Sequence, residues 1–102
     1  ITDHIQVEQR EDTQRARMWF HTRWLTKFGL DEVETFQPIG LSSREIEDIV
    51  LKVAGELIEQ GKNPKVGEHV VLGGIDPQVT VVRHRTDPIY GIPLAFRELR
   101  LE

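Results

Sequence analysis

The chain has 102 residues, no cysteine, 38% hydrophobic residues, and 13 basic against 17 acidic side chains for a formal net charge of -4. That length and composition predict one globular domain over residues 1–102 and exclude a compositionally disordered chain, a disulfide framework, a thiolate metal site and a thiol nucleophile. The lack of cysteine fits a reducing, cytoplasmic setting; no apolar run approaches the ~20 residues of a spanning helix and Ile1 opens no signal peptide, so a soluble protein with no membrane partner is expected.

In chain order, residues 4–9 alternate Ile5 and Val7 with His4, Gln6 and Glu8, the pattern of a short strand. Residues 15–24 admit two readings. As a strand they place Ala16, Met18, Phe20, Thr22 and Trp24 on one side and Arg15, Arg17, Trp19, His21 and Arg23 on the other. As a helix their apolar residues scatter, with Arg17 and His21 inside the arc of Phe20, Trp24 and Phe28, so the strand is adopted. A short helical segment over Trp24–Phe28 stops at Gly29, and a brief strand over Val33–Gln37 ends at Pro38.

The strongest local signal follows. Ser42 is an N-cap with Glu45 three places on to close a capping box, and Leu41 and Ile46 form the hydrophobic staple of a helix over 42–60. Ile46, Ile49, Val50, Val53 and Leu57 make its apolar stripe, Gly61 supplies a positive-φ stop, and Pro64 bars continuation. Leu51, Gly55 and Ile58 mark a second side, read either as contact within the domain or as a subunit interface.

Beyond the helix, His69–Leu72 and Val79–Arg85 read as strands joined through residues 73–77. Asp87-Pro88 is expected to break the second strand, and Gly91-Ile92-Pro93 to open a last one over Leu94–Leu101, with a helical turn from Phe96 to Leu99 as the alternative. The fold class is therefore α+β: a single domain with a mostly antiparallel sheet of about five to six strands packed against one long helix.

Residues His21-Thr22-Arg23-Trp24-Leu25-Thr26-Lys27-Phe28-Gly29-Leu30-Asp31-Glu32-Val33-Glu34, followed by the helix and by Lys65-Val66-Gly67-Glu68, resemble uncharacterised bacterial α+β proteins. The pattern there is His-Thr-x-Gly-Leu-x-Arg-Phe-Gly-Leu-Pro-Asp/Glu-Leu-Glu. Trp24 stands at its glycine and Asp31 at its proline. The resemblance implies a fold and carries no activity.

Charge is unevenly spread, with Arg10, Arg15, Arg17, Arg23 and Lys27 in residues 10–28 and eight acids in residues 29–59. The row Arg15, Arg17, Trp19, His21, Arg23 is the sharpest binding candidate. Alternate strand positions project about 7 Å apart from one face, and guanidinium groups beside an aromatic ring suit phosphates or unstacked bases. Arg83 and Arg85 would extend the row if their strand lay alongside. The competing reading is a solvated sheet face whose arginines cover Trp19. Trp24, Phe28, Phe36 and Phe96 are assigned to the core, and Trp19 to the surface.

His4, His21, His69 and His84 lack metal-ligand spacing, although His69 and His84 could oppose each other across a hairpin with Asp76 or Glu68. Gly73-Gly74 lacks the ending of a phosphate loop, and Asp76 and Asp87 each precede a proline of a turn. With no cofactor, metal or catalytic constellation indicated, the leading expectation is a small non-catalytic binding or interaction module, with a protein partner or self-association. The alternative is an anion or nucleic-acid binder using the basic-aromatic row, disfavoured by the acidic balance. A small enzyme ranks third.

Overall fold

In the computed structural model, which describes residues 4–14, 16–38, 40–72, 78–89 and 91–101, the alternating segments pair into one mixed sheet. Its strands are β1 (Gln6–Asp12), β2 (Arg17–Arg23), β3 (Glu32–Phe36), β4 (His69–Val70), β5 (Val79–Ile89) and β6 (Ile92–Leu101), in the spatial order β1-β2-β3-β6-β5-β4. Every pairing is antiparallel except β3 with β6, where Glu32, Val33 and Glu34 stand beside Phe96, Arg97 and Glu98. The helix α1 (Ser43–Gln60) lies in the crossover that makes this parallel pair.

Both ends of α1 are built as the sequence requires. The Glu45 N–H donates to Ser42 Oγ at 3.2 Å and the Ser42 N–H to Glu45 Oε1 at 3.1 Å. At the other end Gly61 takes φ 71° and donates to the Leu57 carbonyl. Ile46, Ile49, Val50, Val53, Ala54 and Leu57 are buried against Phe20, Val33, Val81 and Leu99, each large aliphatic contributing about 1.5–3 kcal/mol. Leu51 and Ile58 are half-buried and pack on this same core, and Gly55 between them is half-buried.

Several boundaries differ from expectation for local reasons. β1 runs on to Asp12 through an all-polar stretch because β2 gives it a continuous partner, from Gln6 opposite Arg23 to Asp12 opposite Arg17. β4 is shorter than 69–72. β5 is not broken at Asp87-Pro88 but continues to Ile89, with Pro88 opposite Pro93. β4 reaches only Val79 and Thr80, so proline near the open end of β5 interrupts no ladder on that side. Residues 96–99 belong to β6, not to a helical turn.

Residues 25–28 form the expected single turn, a 3₁₀ turn entered through Trp24 at φ 82° and closed by Gly29 at φ 74°. Phe28 at its end is 42% exposed, which corrects its assignment to the core. Trp24 is half-buried against the main core, whereas Phe36 and Phe96 are buried on the opposite side of the sheet.

Candidate functional site

The face of the sheet turned away from α1 carries its own buried layer. Because β2 alternates, Met18 and Phe20 point to the helix side, while Trp19 joins Phe36 and Phe96 in a second cluster containing no helix residue. The predicted row therefore does share one face, but its exposure does not hold. Trp19 is only 9% exposed and His21 is fully buried; Arg17 is exposed and Arg23 half-buried. Arg15 lies outside the described residues. The reason is aromatic packing that strand alternation cannot show: the Trp19 and His21 rings lie tilted against each other with centroids 4.5 Å apart, and Phe96 from β6 meets them edge-on at 5.8 and 5.7 Å.

At the centre of this layer sits Glu34, also fully buried. Its carboxylate accepts the Trp19 Nε1–H at 2.8 Å and is gripped through both oxygens by Arg85, with Nε to Oε2 at 2.7 Å. Arg85 also bonds Asp87 and spans the Trp19 and Phe96 rings at 5.5 and 5.3 Å. A fork of this kind satisfies the geometry of both planar groups. The hydrogen bond with Glu34, reinforced by Asp87, holds the guanidinium above its already high ordinary pKa. β5 is not adjacent to β2, since β3 and β6 intervene; Arg85 nonetheless reaches the row, whereas Arg83 pairs with Glu98 at 3.2 Å.

His21 is the second unusual group. Its Nδ1 is 3.0 Å from the Thr22 carbonyl oxygen, which can only accept, so Nδ1 carries a proton. Among the described residues its buried Nε2 has no hydrogen-bond partner, and it lies 3.6 Å from Glu8 Oε1. Burial pushes the His21 pKa down from 6.5 against the raising effects of the Thr22 carbonyl and Glu8. A further buried carboxylate, Glu32, accepts from Thr22 Oγ1 at 2.7 Å and from the Leu25 and Thr26 N–H groups at 3.3 Å, anchoring the 3₁₀ turn. Burial pushes its pKa up from 4.5.

Above the layer lies a groove of about 440 Å³ whose lining comes from both long hairpins: Arg10 to Gln14 from β1–β2, Arg85 and Asp87 from β5, with Trp19 beneath. A smaller groove of about 330 Å³ is bordered by Arg17, Phe36, Arg83 and Glu98, where the Arg17 guanidinium lies 5.8 Å from the Phe36 ring. The other histidines do not converge. His69 stands opposite Thr80 and contacts its hydroxyl at 3.0 Å, while His84 stands opposite Arg97 and lies 3.5 Å from Asp31, so the opposed pair considered as an alternative across the hairpin is not formed. Asp76 lies outside the described residues. Among the described residues no three His, Asp or Glu side chains are grouped to hold a metal ion, and no helix is long and apolar enough to cross a membrane.

Glu34, Asp87, Phe96 and Glu8 are not singled out as site residues by the sequence, and Arg85 enters there only as a conditional extension of the row. The side opposite Val33 on β3 offers a signal for Glu34; nothing in spacing joins it to Arg85, 51 residues away.

Fold and site together define an α+β domain with one helix on one face of its sheet and a compensated polar-aromatic layer on the other. Residues 5–87 match the family model described as Protein of unknown function (DUF4026) C-terminal, and the chain belongs to that family. This agrees, at the level of an uncharacterised family, with the resemblance carried by residues 21–34. No curated protein and no solved structure matches the chain.

Proposed function

We propose that this domain is a non-catalytic protein-binding module whose contact surface is the helix-free face of the sheet, centred on the groove between the β1–β2 and β5–β6 hairpins. The observation that carries the reading is the buried Glu34–Arg85–Trp19 network directly below that groove. It fixes the floor and leaves Arg10, Glu11, Asp12, Thr13, Gln14 and Asp87 around it, a lining of both charge signs that suits a polypeptide of mixed charge. Of the basic-aromatic row, Arg17 is exposed beside Phe36 next to this groove and Arg23 lies toward the other end of β2 near Glu8, while Trp19 and His21 act from beneath by holding the surface in shape.

The phosphate-binding alternative loses support from the same contacts. Arg85 is matched by Glu34 and Asp87, Arg83 by Glu98, Arg23 lies 3.9 Å from Glu8, and Arg97 is bonded to Asp31. A guanidinium already neutralised by a carboxylate offers an incoming phosphate little.

Photo-crosslinkers placed at Thr13 and Gln14 in the groove, and separately at Asp48 and Glu59 on the exposed side of α1, test this. Protein adducts from positions 13 and 14 alone are expected. Adducts from the helix positions alone, or a strongly salt-dependent affinity for single-stranded oligonucleotide, would contradict it.

A further inference from the structure

We infer that β1 is a self-recognition edge, on which a second copy of this chain pairs antiparallel about a two-fold axis through Gln9, joining two sheets into one. This edge shares Arg10 and Glu11 with the border of the groove proposed above, but the inference does not rest on that groove. Among the described residues β1 is bonded only to β2 and ends the sheet, and Gln6, Gln9, Arg10 and Glu11 are exposed.

The backbone parity of this edge follows from one bond. The Gln37 N–H donates to the Met18 carbonyl, so Met18 faces β3 and, by alternation, Trp19, His21 and Arg23 turn their backbone groups toward β1. In the unbroken register of β1 with β2, Glu8 and Arg10 then bond inward to His21 and Trp19. Val7, Gln9 and Glu11 consequently turn their N–H and C=O groups outward.

Long edge strands ordinarily carry charges that discourage pairing with other chains. What sets β1 apart is the order of its charges. An axis through Gln9 places Gln9 opposite itself and Val7 opposite Glu11 of the second copy, each pair exchanging both backbone hydrogen bonds. It places Glu8 opposite Arg10 in the intervening pairs, where antiparallel side chains come closest. Both residues lie on the helix-free face, where Glu8 Oε1 is turned toward His21 and Arg23. Shifting the axis by one residue fails on charge: through Glu8 it opposes Glu8 to itself, and through Arg10 it opposes Arg10 to itself and Glu8 to Asp12. The Gln9 register alone among these three matches opposite charges.

The test is sedimentation equilibrium on the wild-type chain and its variants up to on the order of 1 mM. Wild type is expected to move from the 11.8 kDa monomer toward twice that mass. Arg10→Glu and Glu8→Arg should each weaken self-association by about tenfold or more, because like charges now face each other at two symmetric places. An equimolar mixture of the two variants should recover association. In that mixed pair one copy carries arginine at both positions 8 and 10 and the other carries glutamate at both, so opposite charges face each other again. Gln9→Pro removes an outward N–H that β2 does not use, so it should fold with an unchanged far-ultraviolet spectrum yet stay monomeric. A wild-type chain monomeric throughout, association insensitive to Gln9→Pro, or variants that fail to complement each other while folded would overturn the inference; should Glu8→Arg not fold, Arg10→Glu and Gln9→Pro still decide it.

Discussion

Replacing Arg85 with methionine removes the charged partner that grips both oxygens of Glu34 and leaves a fully buried carboxylate holding the Trp19 N–H. Breaking a buried pair from one side costs about 3–5 kcal/mol, because the remaining charge keeps its desolvation penalty and loses its compensation. The Arg85 side chain is 22% exposed, so water offsets part of this, and a loss of about 2–4 kcal/mol is expected. Against a total stability of about 5–15 kcal/mol for a domain this size, that is a large fraction. Urea unfolding followed by far-ultraviolet circular dichroism measures it as a shift in midpoint at constant slope. The double variant Glu34→Gln with Arg85→Met supplies the control: glutamine still offers Trp19 an acceptor but carries no charge, so the pair should lose less than Arg85→Met alone. A loss below about 1 kcal/mol for Arg85→Met, the range of exposed ion pairs, would refute the idea that this network organises the helix-free face.

His21 and Glu32 should give the stability opposite pH dependences. Since burial depresses the folded His21 pKa below 6.5, its contribution is complete above 6.5 and lost as pH falls through the folded value; the stability difference between wild type and His21→Gln should shrink on acidification below 6.5, and a pH-independent difference would count against a buried neutral ring. Glu32, with its pKa raised from 4.5, contributes stability that is complete below 4.5 and lost as pH rises through the folded value, so Glu32→Gln should gain on wild type in that direction; parallel pH profiles for the two would remove the buried carboxylate from the account. At α1, Ser42→Ala should cost about 1 kcal/mol through the capping box, and Val53→Ala, at a fully buried position, roughly 1–3 kcal/mol; equal denaturant midpoints for Val53→Ala and wild type would remove the core face from α1. Trp19 should resist a polar fluorescence quencher in Trp24→Phe, and ready quenching there would restore the exposed row.

How much can be read from the sequence depends on the range of the interactions. The limits of α1 are legible because Ser42, Glu45, Leu41 and Gly61 each act on residues a few places away. The strand assignment of residues 17–23 and its two faces are also legible, since alternation is local. Whether a face meets water is not. Trp19 and His21 are buried by Phe96 and Arg85, which arrive from β6 and β5 near the far end of the chain, and by the parallel β3–β6 pairing that seats Glu34 beside Glu98. An aromatic flanked by arginines therefore looks like an exposed anchor and proves to be a floor. Phe28 fails the other way: hydrophobicity puts it inside, but the 3₁₀ turn between Trp24 and Gly29 points it out. Pro88 misleads because proline reads as a strand breaker unless its strand is known to have an open side.

The central claim, that a partner docks on the helix-free face between the two hairpins, is tested most directly by titrating the crosslinked partner, once identified, into the isotope-labelled domain and following backbone amide shifts. Perturbations confined to Arg10–Gln14, Arg17 and Arg83–Asp87, with α1 unmoved, are the predicted result. Perturbations centred on Arg44, Asp48, Lys52 and Glu59 of the exposed helix surface, with the groove unmoved, would contradict it.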